Sequence, residues 1–256
     1  MQEASTPVAR RSNEDRTRTT RAALVAAART LFVDQGYAAT STPQIAAAAA
    51  VTRGALYHHY ADKQDLFRAV VEAEAAAVAA EIEDRTGGVA GPPADTTAPE
   101  RVSTDGDAPG RASTDGDAPG RVAADAARQG LVDGAVAYLD AMAEPGRTRL
   151  LLVDAPAVLG AAEADALDAR HARRTLRTGL AAALGEQAPT GDRLDALVLV
   201  LSAAFDRAAL VAALGSGDGA GRAEGAGTAD GAGTADAVRW AVTELVDRVC
   251  APRPTR

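Results

Sequence analysis

The stretch Thr42–Lys63, TPQIAAAAAVTRGALYHHYADK, decides the fold of this chain. It opens with Thr42 and Pro43, a pair typical of a helix start, because threonine caps free amide groups and proline fits the first helical turn. The alanine-rich residues that follow predict a short helix over 43–49, with Thr42 as its N-cap.

A second short helix follows after a tight turn at Ala50–Val51. Thr52 is predicted to cap it, and it extends from Arg53 to about His59. The small alanines allow two short helices to cross closely, as a helix-turn-helix requires. The residues predicted to be buried between these helices and the preceding one are Ile45, Ala49, Val51 and Leu56.

The outer face of the second short helix carries donors beside small residues, which lets the backbone approach the floor of a DNA major groove. These residues are Arg53, Gly54, Ala55, Tyr57, His58 and His59. Tyr57 has an alternative place in the core. The two histidines have an alternative role as a metal site, but adjacent helical side chains diverge by about 100°, and no third ligand is evident.

The rest of the chain is predicted to be helical as well. Residues 17–35 form an amphipathic first helix, Gly36 a left-handed end, and Asp62 a cap for the next helix. Aromatic residues make up only 3% of the chain, and no segment alternates as a strand, so the fold class is all-α. Later helices are predicted at Arg147–Val153, Ala157–Leu184, Asp192–Leu214 and Asp236–Val249, with Phe205, Tyr138 and Trp240 in the core.

Residues 17–71 resemble the DNA-binding domain of the tetracycline-repressor (TetR) family, through LFVDQGYAAT and STPQIAAAAAVTRGALYHHYADKQDLF. Ala50 departs from the family, which usually has glycine in the turn. If the turn needs a positive φ, alanine costs about 1 kcal/mol. The resemblance implies that Arg53, Gly54 and Ala55 approach base edges, whereas the residues expected on the DNA backbone are Thr42, Thr52, Tyr57, His58, His59 and Lys63.

Composition divides the chain into a flexible N-terminal arm (1–16), a helix-turn-helix domain (17–62) and a C-terminal helical domain (63–250). Two low-complexity stretches are predicted to be disordered insertions, near 87–120 and 215–235. The first contains RVSTDGDAPG followed by RASTDGDAPG, and the second contains GAGTAD twice. Such segments hold too few large apolar residues to offset the entropy of ordering.

The resemblance also implies that the C-terminal domain forms a homodimer and holds an unidentified small-molecule effector. The expected effector is apolar or amphipathic, with a pocket lined by Val78, Tyr138, Met142 and Leu159 and with Asp154 or His171 as polar partners. These residues have an alternative role as ordinary core, and His171 as part of a solvated basic face. The dimer interface is predicted at Leu194, Leu197, Val198, Leu201, Val238, Val242, Leu245 and Val249.

The uneven distribution of charge along the chain supports a protein that contacts DNA at one end. Residues 1–63 carry eight basic and five acidic side chains, a net charge of +3, whereas the other 193 residues carry 19 and 30, a net charge of −11. We expect a repressor that an effector releases from a palindromic double-stranded operator. An architectural DNA-binding protein without a ligand is the alternative.

Other classes of protein find less support in the sequence. It has no catalytic motif, and a buried acid with a raised pKa would be the structural feature favouring an enzyme. Cys250 is the single cysteine, so neither a disulfide nor a metal site is expected, and no cofactor is implied. The apolar run 196–205 is too short to cross a membrane, and no secretion signal is evident, so a cytoplasmic location is expected.

Overall fold

The computed structural model describes residues 8–87, 118–215 and 229–251. These three ranges contain helices and no strand, which confirms the all-α prediction. The helices are α1 (Val8–Ala39), α2 (Thr42–Ala48), α3 (Arg53–His59), α4 (Lys63–Thr86), α5 (Ala118–Met142), α6 (Arg147–Arg149), α7 (Ala155–Leu159), α8 (Ala161–Arg170), α9 (Ala172–Leu184), α10 (Asp192–Gly215) and α11 (Ala229–Cys250). A π-helical segment, Leu150–Asp154, joins α6 to α7, and a 3-10 turn, Gly185–Gln187, follows α9.

The first helix is longer than the sequence predicts. It begins at Val8, so the predicted flexible arm is helical from that residue onward, and residues 1–7 lie outside the described part of the chain. Gly36, with φ 80° and ψ 162°, interrupts the helix near its end. Its φ is positive, as the sequence predicts, but its ψ lies outside the left-handed helical region. Tyr37 then folds back, and its ring centroid lies 5.6 Å from that of Phe32 and 5.0 Å from that of Phe67.

The start of α2 corrects one predicted cap. Ser41 is the N-cap rather than Thr42, because the Gln44 side chain accepts hydrogen bonds from the Ser41 backbone N–H at 2.8 Å and its hydroxyl at 2.7 Å. The Ser41 side chain in turn meets the Gln44 backbone N–H, which completes a capping box. The caps predicted for α3 and α4 are confirmed: Thr52 accepts from the Ala55 N–H, and Asp62 from the Asp65 N–H.

Ala50 holds the turn between α2 and α3 in a conformation that L-residues avoid. Its φ is 53°, and it is the one non-glycine residue with a positive φ in the described ranges. The steric contact between its Cβ and the following carbonyl is unfavourable there. The turn therefore does require the left-handed conformation, and alanine occupies it at a cost.

The predicted insertions fall largely on residues outside the described part, 88–117 and 216–228. Their predicted ends are wrong, because α5 already begins at Ala118 and α11 at Ala229. Another predicted helix, 157–184, is broken twice. Gly160 adopts φ 91° after α7, and His171 interrupts the chain between α8 and α9.

Two hydrophobic cores organise the molecule, and α4 belongs to both. Its first half places Leu66, Phe67, Val70 and Val71 in the core of the helix-turn-helix region, which also contains Leu24 and Phe32 of α1. Its second half places Val78 and Ile82 in the C-terminal core with α5, α9, α10 and α11. Because α4 contributes residues to both cores, a shift of this helix would move side chains in both domains.

The residues predicted to form the dimer interface fill the C-terminal core of a single chain instead. Leu194, Val198, Leu201 and Val242 are buried, and Leu197, Val238, Leu245 and Val249 pack against them. A stripe at helical spacing has the same appearance whether it faces its own chain or a second copy. Trp240 was predicted in the core, but 68% of its surface is exposed.

Helix α10 extends beyond the apolar run 196–205 at both ends. By length and composition it could cross a membrane, so the prediction that this region is too short is wrong. The same helix packs one side into the C-terminal core through Val198, Leu201 and Phe205. The core helix of a soluble protein has the same composition.

A buried carboxylate joins the two domains. Glu74 of α4 accepts a hydrogen bond from Arg29 of α1 at 2.8 Å and another from Arg147 of α6 at 2.9 Å. Glu74 and Arg147 are only 8% and 7% exposed. Arg147 also donates to the Ala141 carbonyl at 2.7 Å. We call Arg29, Glu74 and Arg147 the interdomain clamp.

The clamp predicts a large effect for Glu74→Gln. Burial alone would raise the pKa of Glu74, yet the two arginine hydrogen bonds hold this pKa below its usual value. Removing the charge leaves Arg147 with the half-exposed Glu81, at 3.0 Å, as its remaining anionic partner. We therefore expect a loss in unfolding free energy of at most about 3–5 kcal/mol, the cost of a buried charge without a partner. The stabilisation is present above the pKa of an unfolded glutamate and is lost as the pH falls through the lower folded value. Urea denaturation followed by circular dichroism measures both effects.

Glu83→Gln on the exposed side of α4 is the matched control. Its carboxylate lies 4.0 Å from Arg174 and both side chains are exposed, so the substitution should change stability by less than about 1 kcal/mol. Equal effects of the two substitutions would show that the clamp contributes no more than a surface pair.

The left-handed conformation of Ala50 predicts that the substitution Ala50→Gly stabilises the folded chain. Glycine removes the steric penalty of the left-handed conformation, about 1–2 kcal/mol. Its greater backbone freedom in the unfolded state lowers the stability of the folded chain by about 0.4–1 kcal/mol, which offsets part of this gain. Ala49→Gly is the control, because Ala49 has an ordinary φ of −80° and should only lose stability. Thermal melts measure both variants. A melting temperature of Ala50→Gly at or below that of the wild type would contradict this account.

Candidate DNA-binding surface and ligand cavity

The inner sides of α2 and α3 are fixed by the helix-turn-helix core. Ile45, Ala46 and Leu56 are almost completely buried there. They join Leu24 and Ala28 of α1 in one cluster. Burial of Leu56 determines the rotation of α3, so the residues on the opposite side of that helix face solvent.

That opposite side brings the predicted DNA-contacting residues of α2 and α3 together. Tyr57 is 47% exposed, which argues against its alternative place in the core. Its hydroxyl lies 2.9 Å from Thr42 Oγ1, so the start of α2 and the middle of α3 meet at this surface. Thr52, Arg53, Gly54 and His58 are exposed, and Ala55 and His59 are half-buried.

Arg21 of α1 supports the end of α3, a role that the sequence analysis missed. Its guanidinium donates to the His59 carbonyl at 3.1 Å and lies 4.6 Å from the centroid of the Tyr60 ring. Burial lowers the pKa of His59, and the neighbouring His58 and Arg21 lower it further. The lowered pKa favours the neutral imidazole of His59.

Lys63, predicted to contact a phosphate, already has partners within the chain. Its ammonium donates to the carbonyls of Tyr37 at 2.9 Å and Thr40 at 3.0 Å. It also lies 4.2 Å from the centroid of the Tyr37 ring. A lysine has three donors, so one remains for a phosphate while the other two hold the end of α1 against the start of α4.

A cavity of about 240 Å³ lies in the C-terminal domain, between α4, α5, the π-helical segment and α7–α10. Three of the predicted pocket residues line it: Val78, Tyr138 and Met142. The other three do not. Leu159 packs against the helix-turn-helix core, Asp154 lies 3.4 Å from Arg149, and His171 lies 2.7 Å from the Glu72 carboxylate.

The charged groups of this cavity differ from the polar partners that the sequence predicts, Asp154 or His171. Asp165, Asp168, Arg173 and Asp206 all line it. One signal was available in the sequence, because Asp206 directly follows the long apolar run of α10. An acid at that position is unusual in a core-facing stripe.

Histidines 58 and 59 are neighbours at the end of α3. Their ring centroids lie 5.2 Å apart. Within the ranges that the structure describes, no group of three or more histidine, cysteine, aspartate or glutamate side chains is arranged to hold an ion.

Relatives of known type match the N-terminal part of the chain. The TetC protein of transposon Tn10 from Escherichia coli is 41% identical over 63 residues, which is 25% of this chain and 32% of that protein. The transcriptional regulator AcrR from Shigella flexneri is 44% identical over 62 residues, 24% of this chain and 29% of that protein. The matched stretch thus spans about a third of the length of these relatives.

Other comparisons extend beyond the N-terminal part. A crystal structure of a TetR-family transcriptional regulator from Pectobacterium atrosepticum is 27% identical, with a TM-score of 0.58, and the match covers 93% of this chain and 98% of that one. The family model for bacterial regulatory proteins of the tetR family matches residues 24–70, and the model for the tetracyclin repressor-like C-terminal domain matches residues 128–229. The chain therefore belongs to the TetR family of bacterial transcriptional regulators.

Proposed function

We propose that the chain is a homodimeric repressor that binds a palindromic operator and is released from it by a small-molecule effector. The observation that carries this proposal is the joint surface of α2 and α3, where exposed Tyr57 hydrogen-bonds to Thr42 beside exposed Arg53. Polar side chains on one solvent-facing side of a helix-turn-helix suit a major groove. Because a repressor must reach the chromosome, we also infer a cytoplasmic location.

The residues of this surface divide between base and backbone contacts. We propose that Arg53, at the start of α3, donates two hydrogen bonds to a guanine edge, while Gly54 and Ala55 leave room for the groove floor. Thr42, Tyr57 and Lys63 carry hydroxyl and ammonium donors that suit phosphates, and the remaining donors are Thr52, His58 and His59.

The dimer is proposed to form through the sides of α10 and α11 that face away from the core. Leu199, Val200 and Leu214 of α10 are 48%, 66% and 72% exposed, and Trp240 of α11 is 68% exposed. Only 28% of the most apolar stretch of α10 is buried within one chain. An apolar area of this kind on two adjacent helices suits a two-fold partner.

The cavity is proposed to hold the effector. Val71, Ala75 and Val78 line it from α4, the helix whose other end belongs to the helix-turn-helix core. A ligand that displaces these residues would shift α4 and change the spacing of the two DNA-binding surfaces in the dimer. A ligand cavity coupled in this way favours a regulated repressor over an architectural DNA-binding protein.

A buried acid with a raised pKa would favour an enzyme, and Asp206 has this property. We assign it to ligand recognition, because the matched family consists of regulators and the groups around Asp206 that line the cavity are other acids, one arginine, one tyrosine and apolar side chains.

The DNA-binding surface predicts distinct effects for two substitutions. Arg53→Ala should cost about 1–3 kcal/mol of binding free energy and relax the preference at one base pair. Tyr57→Phe should weaken binding to every sequence alike, because it removes a phosphate donor. Fluorescence anisotropy with a duplex selected from a random library measures both, and Arg193→Ala, an exposed arginine of α10, is the control. Wild-type affinity and selectivity of a combined Arg53→Ala, Tyr57→Phe variant would exclude this surface.

The dimer proposal predicts that Val200→Glu together with Trp240→Glu produces a monomer, because buried carboxylates would face each other across the two-fold axis. Val122→Glu is the control, since Val122 is equally exposed on α5, at 69%, but lies outside the proposed interface. Analytical ultracentrifugation distinguishes the two states. A double variant that remains dimeric would place the interface elsewhere.

A further inference from the structure

The cavity in the C-terminal domain is apolar on one side and charged on the other. Its α4 wall consists of Val71, Ala75 and Val78, and Met142 of α5 and Leu152 of the π-helical segment continue this wall. The opposite side combines groups from α8, α9 and α10, namely Asp165, Asp168, Arg173 and Asp206.

Acids outnumber bases on the charged side. The Arg173 guanidinium lies 2.5 Å from an Asp165 oxygen and 2.8 Å from an Asp168 oxygen, so this cation is shared between two carboxylates. Asp168 receives a further hydrogen bond from Ser202 at 3.3 Å. Three carboxylates and one guanidinium line the cavity, which leaves an excess of negative charge.

Among the described residues, Asp206 is the cavity carboxylate that forms no direct salt bridge, and Arg173 acts on it only from a longer distance. Its hydrogen bond comes from the Tyr138 hydroxyl at 2.5 Å, and Tyr138 is itself only 8% exposed. Burial raises the pKa of Asp206 to about 6. A buried, ionised carboxylate held by a single neutral donor is unfavourable unless a positive charge joins it.

We propose that this cavity receives a lipophilic cation, a protonated amine on an apolar body, whose charge pairs with Asp206. The inference rests on the proposed function, in which the same cavity holds the effector. The ammonium group would lie beside Asp206 and the Tyr138 oxygen, and the apolar body would lie against Val71, Ala75 and Val78. Asp206 is then the residue that determines specificity for charge.

Size and charge limit the ligand further. The volume of about 240 Å³ lies below the roughly 300–1,000 Å³ of sites for drug-sized molecules, so we expect a small amine. A carboxylate or phosphate would meet Asp206 and Asp168 and be repelled, because Arg173 is already neutralised by its two partners.

The test uses three probes that share one eight-carbon tail and differ in head charge: n-octylammonium, n-octanol and octanoate. Titration calorimetry on the full-length protein at pH 7.5, without DNA, should show octylammonium binding at least tenfold more tightly than octanoate. Asp206→Asn should weaken octylammonium at least tenfold and leave octanol unchanged or tighter. Retained octanol binding shows that the cavity of the variant is intact.

The matched control is Asp195→Asn, which removes the same charge from the same helix. Asp195 is exposed and pairs with Arg177 at 2.7 Å, so this variant should bind octylammonium as the wild type does. Octanoate binding as tightly as octylammonium, wild-type affinity of Asp206→Asn for octylammonium, or no binding of any probe would each overturn the proposal. Because these titrations contain no DNA, their outcome is independent of whether the chain binds an operator.

The pH dependence gives a second readout. Octylammonium should bind more weakly at pH 5 than at pH 7.5, since Asp206 is protonated below about pH 6. Burial also raises the pKa of Asp168, and that of Tyr138 lies well above its usual value, while Arg173 keeps its charge. Asp206→Asn should therefore remove most of the pH effect, and octanol should show none. An unchanged pH effect in Asp206→Asn would contradict the role of this residue.

Discussion

The arrangement of the two domains depends on one buried anion. The Glu74 carboxylate of α4 is held between Arg29 of α1 and Arg147 of α6, so three separate segments of the chain meet at a single side chain. Burial of the charge is tolerated because both oxygens accept charge-assisted hydrogen bonds. The loop before α6 is pressed against α1 at the same place, since a side chain at Gly146 would lie 2.3 Å from Val33. Without this contact the helix-turn-helix domain would meet the C-terminal domain mainly through α4 and the segment after α6.

The clamp and the cavity occupy the same turns of α4. Val71, Ala75 and Val78 face the cavity, and Glu74 lies between them in the sequence. Leu151 of the π-helical segment lines the cavity and also packs against both cores. π-Helical segments are found frequently at functional sites. A ligand in the cavity would thus act on the two elements that connect it to the DNA-binding surface, and the balance between clamp and ligand would set the position of α4.

Local rules were sufficient for the helix-turn-helix. Thr52 and Asp62 cap their helices as predicted, Leu56 is buried and Tyr57 exposed, and the turn at Ala50 requires the positive φ that the family's glycine would supply. These features depend on neighbours within a few residues. The Ser41 cap was missed because a threonine–proline pair and a serine–glutamine capping box overlap in the same four residues, and only the hydrogen bonds of Gln44 distinguish them.

The sequence by itself determined the helical fold, the family and the solvent-facing side of α3, since helix propensity, capping and short-range spacing are local properties. Tertiary structure alone decided which apolar stripe is internal. Leu201 and Val242 face their own chain, whereas Val200 and Trp240 do not, and helical periodicity cannot choose between these neighbours. It also decided the charge of the cavity, because Asp165, Asp168 and Asp206 come from two helices that packing brings together. Asp206 and Tyr138 are far apart in the sequence, so their hydrogen bond and the raised pKa follow only from the folded chain.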